Sequence, residues 1–388
     1  MDSNIIYWIW LQQALGCGNG KFKKVISEFN DAKTFYELGD AAWKSCGILT
    51  KKELDKIRSC DFDDAKKIIE KCEFYNQNII TYNDNSYPER LRNIYNPPCV
   101  LYVKGNMIDV DDNILISIVG TRSAISENEE ISYDFAYELS KSGVIIVSGG
   151  ALGIDTMAHK GALDAGSKTV CVLGNGLDVN YPKENSSLRY DISQNGVLVS
   201  EYPPETPPLP RNFPIRNRIL SALSLGTLVI QAGKKSGALI TANLAAEQNR
   251  DVFAIPGSIK DEQSVGSNDL IKDGAKPVTC AMDIIEEYIG VYKDKLDFTD
   301  IVNNKTENKD NNSSKDKKIY SNVDTNIISR LSENAKKVYN VLGFEKEHID
   351  DISVRAGLPI NQVLQSITEL EIYGVINSYS GKRYSKIT

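Results

Sequence analysis

Residues 206–246 contain no Asp or Glu, yet they carry Arg211, Arg216, Arg218, Lys234 and Lys235. The protein as a whole is acidic, with a formal net charge of -7. A positive island in an acidic chain marks a local binding surface, because exposed charges otherwise intermix for solubility. The chemistry on offer is capture of an anion. Ser236 and Gly237 add to it, lying between an apolar run at 227–231 and a helix predicted over 238–248. A helix N-terminus presents unpaired N–H groups and a positive dipole end to a phosphate. Phe213, beside Arg211 and Arg216, could stack on a base or staple the helix that Pro214 starts and that is predicted to run to about Ser224. An ordinary strand–loop–helix unit with solvated lysines has the same local pattern.

Other chemistries lack their residues. Ser148-Gly149-Gly150-Ala151-Leu152-Gly153-Ile154-Asp155 does not space its glycines as Gly-x-Gly-x-x-Gly, and no acid ends the following strand to hold a ribose. A nicotinamide cofactor is therefore not expected, and no cofactor is assigned. The phosphate loop of ATP hydrolases, Gly-x-x-x-x-Gly-Lys-Ser/Thr, is missing. His159 follows Asp155 on a predicted helix with no nucleophile or orienting acid suggested, so it is read as packing, and Asp155 as a turn or cap residue. Lys183, in the loop after a strand, is either solvated or part of the basic surface.

Short β-branched runs at 114–119, 144–147, 169–173, 197–201, 227–231 and 252–255 alternate with helix-length amphipathic segments. That alternation predicts a doubly wound, mostly parallel sheet with helices on both faces and its ligand at the carboxyl ends of the strands. Those ends read Gly120-Thr121-Arg122, Ser148-Gly149-Gly150, Gly174-Asn175-Gly176, Gly233 and Pro256-Gly257. Around this α/β domain, expected over 114–291, the chain divides further. Residues 1–80 read as short helices with a glycine-rich hairpin at 16–20, which suits either a helix–hairpin–helix or SAM-like module or a plain packing or partner-binding module. Residues 81–113 form a connector with a strand at 99–103. The stretch 292–326 is expected to be a disordered linker, because its segment NNKTENKDNNSSKDKK at 303–318 is almost free of apolar side chains. Residues 327–388 predict three helices and a hairpin turning at Ser380-Gly381, the winged-helix plan. Its third helix contains Glu369 and Glu371 but no Lys or Arg, which disfavours groove reading; Lys382, Arg383 and Lys386 lie on the wing.

A chain of 388 residues is long enough for two or three domains, and no apolar run is long enough to span a bilayer. The opening MDSNIIYWIW lacks a basic region and a small-residue cleavage site, so no secretory leader is expected. Seven Cys without a Cys-x-x-Cys pair, and only two His, suggest free thiols in a reducing cytoplasm and no zinc site.

An ordered set of motifs resembles the DprA (Smf, DNA-processing protein A) family. It comprises Gly120-Thr121-Arg122, the Ser148–Asp155 loop with His159, Gly176-Leu177-Asp178 with Tyr181-Pro182 and Asn185, and Phe213-Pro214-x-Arg216-Asn217-Arg218. Ser236-Gly237-x-Leu239-Ile240-Thr241-Ala242, Glu247-Gln248 with Arg250, Pro256-Gly257, and Asn268-x-Leu270-Ile271 with Gly274-Ala275 complete it. Tyr87-Pro88 and Pro97-Pro98-x-Val100-Leu101-Tyr102 fit as well, and the flanking modules match the family layout.

The resemblance implies a non-catalytic protein with an extended Rossmann-like domain that binds single-stranded DNA without reading sequence. It implies loading of RecA recombinase onto that strand in natural transformation, displacement of single-strand-binding protein, and a homodimer formed through the Rossmann-like domain. By motif matching, Arg122, Lys183, Arg216 and Arg218 are the expected phosphate contacts, and Ser148 and Gly149 shape the same pocket. One departure stands out: Ser126 is followed by Glu127-Asn128-Glu129-Glu130, where the family has Tyr-Gly. Glu129 and Glu130 are expected in a first helical turn, where they complement the dipole. Two other classes remain open. A nucleotide phosphoribohydrolase would need Pro-Gly-Gly-x-Gly-Thr-x-x-Glu, but Gln231–Ala238 supplies no acid and the first is Glu247. A nucleotide sensor would use the same pocket chemistry.

Overall fold

A computed structural model gives the fold and describes residues 4–296, 331–343, 347–372, 375–379 and 382–386. The chain forms two compact units, Met1–Lys309 and Asp310–Thr388. In the first, five helices precede the sheet: α1 (Ile5–Leu15), α2 (Lys21–Phe29), α3 (Ala32–Ser45), α4 (Lys51–Ser59) and α5 (Phe62–Phe74). Asp31, Thr50 and Asp61 cap α3, α4 and α5 by accepting from backbone N–H groups one turn on, and Thr50 with Glu53 forms a capping box. The helices enclose an aromatic core in which Trp10 meets Tyr36 edge-on at 5.0 Å. Truncating a fully buried ring such as Phe35 costs about 3–5 kcal/mol.

Then follow β1 (Asn78–Thr81), α6 (Glu89–Arg92), β2 (Val100–Gly105), β3 (Leu115–Val119), α7 (Ser126–Lys141), β4 (Ile145–Ser148), α8 (Ile154–Asp164), β5 (Thr169–Leu173), α9 (Ser186–Asn195) and β6 (Val197–Ser200). The unit continues with α10 (Asn212–Leu223), β7 (Gly226–Val229), α11 (Gly237–Glu247), β8 (Asp251–Ala254), α12 (Val265–Lys272), β9 (Lys276–Pro277), α13 (Met282–Ile285) and α14 (Ile289–Tyr292). The nine strands make one sheet in the order β1-β2-β6-β5-β4-β3-β7-β8-β9. The pairs from β6 to β9 are parallel, whereas β1–β2 and β2–β6 are antiparallel.

The central strands β3 to β7 are buried on both faces, as a covered parallel sheet requires. Along β3, Leu115 and Val119 enter the core beneath α10 and α11, while Ile116 and Ile118 enter the core beneath α7 and α8. Ser117, fully buried between them, shares a hydrogen bond with Thr227 of β7 at 2.8 Å.

The expected doubly wound sheet is present, with each anticipated strand matched to within two residues at its ends. The two antiparallel strands add an edge that alternation does not signal; β1 is four residues long and only half of it is buried. Residues 292–296, expected to open the linker, instead finish α14 and bury Leu296 against the core shared with α7. The rest of that linker, 297–326, lies outside the described residues.

The second unit contains α15 (Glu333–Val341), β10 (Glu347–His348), α16 (Ile349–Ala356), α17 (Ile360–Ile372), β11 (Ile376–Tyr379) and β12 (Arg383–Lys386). Its sheet is antiparallel in the order β10-β12-β11, completing a winged helix around Val338, Ile352, Val363 and Leu370. The anticipated turn at Ser380-Gly381 lies outside the described residues. No helix of the described residues is long and apolar enough to cross a membrane.

Candidate nucleic-acid interface

Strand order reverses at β3, which has β4 on one side and β7 on the other. Connections leaving β3 and β7 therefore part to opposite sides, and a crevice opens beyond their carboxyl ends. A cleft of about 860 Å³ lies there, lined by Gly120, Thr121 and Arg122 after β3, by Ala151 and Asp155 after β4, and by Gly233–Ala238 after β7. The start of α10 forms another wall with Phe213, Arg216 and Asn217, and the loop after β8 contributes Glu262 and Gln263. Arg122, Lys234, Lys235 and Gly237 are exposed, and Ser236 caps α11 by accepting from Ala238 N–H at 3.2 Å. Several cations and one helix N-terminus thus face a common space.

The floor is built by buried polar groups. Arg216, 4% exposed, donates to the carbonyl of Gly149 at 2.9 Å and to that of Val172. Asp155 accepts from the N–H groups of Gly149 and Ala151 at 3.2 and 3.3 Å. Burial raises its carboxyl above the ordinary value, and the charge of Arg216 opposes that rise. A Cβ on Gly149 would come within 2.7 Å of the Arg216 guanidinium and 2.8 Å of the Asp155 carboxylate, so only glycine leaves room for both groups under the loop. Asn185 closes the loop from outside, donating to the Gly150 carbonyl at 3.1 Å and to Thr156 Oγ1 at 2.8 Å.

Phe213 stands at the mouth, its ring 5.8 Å from that of Tyr181, with the guanidinium of Arg122 at 5.3 Å and that of Arg216 at 5.9 Å. A narrower slot of about 80 Å³ continues between these rings and Gly149, Gly150 and Gly174. A second groove, about 840 Å³ between α8 and α9, carries Lys160 and Lys168 beside Asp164, Glu184 and Asp191, so it lacks the excess of basic over acidic residues found in the cleft. Among the described residues no group of three or more His, Cys, Asp or Glu is placed to hold a metal ion.

Residues 78–289 match the family profile of DNA recombination-mediator protein A, and residues 327–382 match that of the DprA winged helix domain. The chain is 43% identical over 210 residues to the DNA processing protein DprA of Bacillus subtilis, covering 54% of this chain and 71% of that one. It is 31% identical over 413 aligned positions to the protein Smf of Synechocystis, covering 99% of both. The chain belongs to the DNA recombination-mediator protein A family.

Two solved family structures are similar to it. One is DNA processing protein A from Streptococcus pneumoniae, with a TM-score of 0.61 at 34% identity over 73% of this chain and 97% of that one. The other is DNA processing protein A from Helicobacter pylori, described for its single-stranded DNA binding mode, with a TM-score of 0.50 at 31% identity over 56% of this chain and 97% of that one.

Against the family motifs, the structure sorts the expected residues. Arg122, Phe213, Arg216, Lys234, Ser236 and Gly237 line one cleft, with Gly149 in the adjoining slot. Lys183 is exposed where its 3₁₀ turn (Lys183–Asn185) begins, next to Pro182 of the slot but outside the cleft lining. Arg211 is exposed just before α10, also outside the lining. Ser148 is fully buried and donates to the Ile118 carbonyl at 2.7 Å, so it fixes β4 against β3 and presents no side chain to a ligand.

Arg218 is not brought to the cleft. It is 3% exposed and pairs with Glu201, 2% exposed, at 2.7 Å, while its Nε donates to the Asn96 carbonyl at 2.9 Å. Glu201 also accepts from the Gly18 N–H at 3.1 Å. Gly18 has φ +73, and a Cβ there would meet Ile215 at 2.6 Å. The glycine-rich hairpin therefore docks on α10, and its Gly18 amide is taken by Glu201.

His159 is fully buried beside Thr169, at 2.8 Å from Nδ1 to Oγ1. Thr169 gives its own proton to the Ile146 carbonyl, so Nδ1 carries the imidazole proton. Burial, reinforced by Arg216, pushes the imidazole down to about 3. Glu127 and Glu129 occupy the first turn of α7 and, like Glu130, are absent from the cleft lining. Sequence reasoning missed Glu262 and Gln263; the signal for them was their place in the loop just after Pro256-Gly257, a strand end already marked as a ligand edge.

Proposed function

We propose that the cleft binds single-stranded DNA through its sugar–phosphate backbone, and that the protein loads RecA recombinase onto that strand. The observation that carries the proposal is the meeting of exposed Arg122, Lys234 and Lys235 with the capped N-terminus of α11 at the point where strand order reverses. Cations and backbone amides hold phosphates without reading sequence. Phe213 offers a ring for stacking, which duplex DNA with its bases already stacked cannot use. Lys183, next to Pro182 of the slot, and Arg211, just before α10, extend the basic path, and Arg216 acts from beneath by holding the Gly149 loop. The family relative whose structure concerns single-stranded DNA supports the same choice.

The wider setting is natural transformation or recombination in the cytoplasm, with single-strand-binding protein displaced and a homodimer formed through the Rossmann-like domain. The role is binding, not catalysis. Strand exchange by RecA on DNA coated with single-strand-binding protein, with and without this protein, tests it. Stimulation that is lost in the Arg122→Ala variant supports loading. Absence of stimulation, together with release of free base from nucleoside monophosphates, would instead establish a phosphoribohydrolase.

A further inference from the structure

The cleft is not basic on all sides. Glu262 lines it as an exposed carboxylate from the loop after β8, with Gln263 beside it. The other acid of the lining, Asp155, is 7% exposed and occupied by the Gly149 and Ala151 amides. Glu262 is left facing the space that Lys234 and Lys235 share.

The presenting loop is fixed in place. Asp261 accepts from Gln231 Nε2 at 3.0 Å, from Ser264 Oγ at 2.6 Å and from Gln263 N–H at 2.9 Å. Gln231 lies two residues beyond the end of β7, so the loop is anchored to the segment that leads from that strand into the Lys234-Lys235 turn. Gln263 lies against the root of that turn, its Oε1 3.2 Å from where a Cβ on Gly233 would sit. The acid and the two lysines thus line one opening, with the Glu262 backbone carbonyl 3.5 Å from where a Cβ on Gly233 would sit.

A carboxylate repels a phosphodiester, which has no proton to donate. It accepts hydrogen bonds from base edges: from N4 of cytosine, N6 of adenine and the amino edge of guanine. Thymine offers only its ring N–H, between two carbonyl oxygens. We propose that Glu262, assisted by Gln263, reads base edges in this cleft, so that strands carrying amino-bearing bases are held in preference to strands of thymine alone. The phosphates lie on the Arg122, Lys234 and Lys235 side and the bases turn toward Glu262. This inference rests on the single-strand reading above and adds a base preference to it.

The test is fluorescence anisotropy with the full chain and two labelled strands of about 20 nucleotides, one of thymine alone and one alternating thymine with cytosine. Wild type is expected to bind the cytosine-containing strand roughly five- to ten-fold more tightly, the discrimination of a good base-edge contact. Glu262→Ala is expected to bring the ratio to about one while tightening the thymine strand, because a repulsive charge has gone. Glu262→Gln, which keeps an acceptor without the charge, falls between. Equal affinity of wild type for both strands, or an equal gain for both in Glu262→Ala, overturns the base preference and leaves strand binding intact. Failure of wild type to bind either strand overturns both.

Discussion

Arg216 and Arg218 lie two positions apart on α10 and point to different tasks. Arg218 is closed into an ion pair with Glu201 that solvent does not reach. Removing one member of a buried pair leaves the other charged and unpaired, at a cost of about 3–5 kcal/mol. Arg218→Ala is therefore expected to lower the denaturant midpoint sharply, and a shift under about 1 kcal/mol would contradict the buried pair. Arg122→Ala is expected to leave that midpoint unchanged and weaken single-strand binding roughly ten-fold, about 1.4 kcal/mol. Gly149→Ala forces a methyl against Arg216 and Asp155; it is expected to destabilise the protein and weaken binding together.

His159 makes a pH signature. Its folded value of about 3 lies below the ordinary 6.5, so in that interval the unfolded chain takes a proton that the native protein refuses. Stability from this group is complete above about pH 6.5 and is lost as pH falls toward 3, by about 1.4 kcal/mol per unit. Thermal melts of wild type and His159→Gln between these limits check it. The wild-type curve should fall more steeply on acidification, whereas parallel curves would mean the imidazole is not held neutral.

At the scale of elements, α10 joins the cleft to the helical module. Its first turn carries Phe213 and Arg216 into the site, and Ile215 and Arg218 receive the Gly18 hairpin and Glu201 on another side. Arg218→Met paired with Glu201→Leu is expected to destabilise much less than the sum of the two single changes, because neither charge is left alone. Additive losses in the double-mutant cycle would show that the pair is not the coupling element.

The same helix shows what the sequence could and could not convey. Its existence, its proline-bearing start and the strand after it are local signals of periodicity and turn chemistry, and they are correctly legible. The direction of each side chain is not. Phe-Pro-x-Arg-Asn-Arg reads as one basic patch, but helical geometry separates Arg216 from Arg218 by about 200°, and only the fold says which side meets solvent. Glu201, two residues before Pro203-Pro204, gave no sign of being Arg218's partner, since the pair forms across 17 residues of chain. The strand at β2 was legible, but β1 was not, and neither was the antiparallel pairing that joins β2 to the distant β6.

Across the whole molecule, the cleft, all nine strands and the helical module belong to the unit Met1–Lys309, which has its own buried cores. A chain ending at residue 309 is expected to fold and to bind a single strand within about two-fold of full length, as an independent domain should. A loss beyond ten-fold would assign binding to the winged helix, whose exposed wing carries Lys382 and Arg383.

The central claim is phosphate capture by Arg122, Lys234 and Lys235, and the salt dependence of binding tests it most directly. Anisotropy of a labelled single strand, measured over a salt series, yields the slope of log K against log salt. Each alanine substitution at these three positions is expected to reduce the magnitude of that slope by about 0.7, one released counterion, while duplex DNA binds weakly throughout. A slope unchanged by all three substitutions, or equal affinity for duplex and single strand, would contradict the claim.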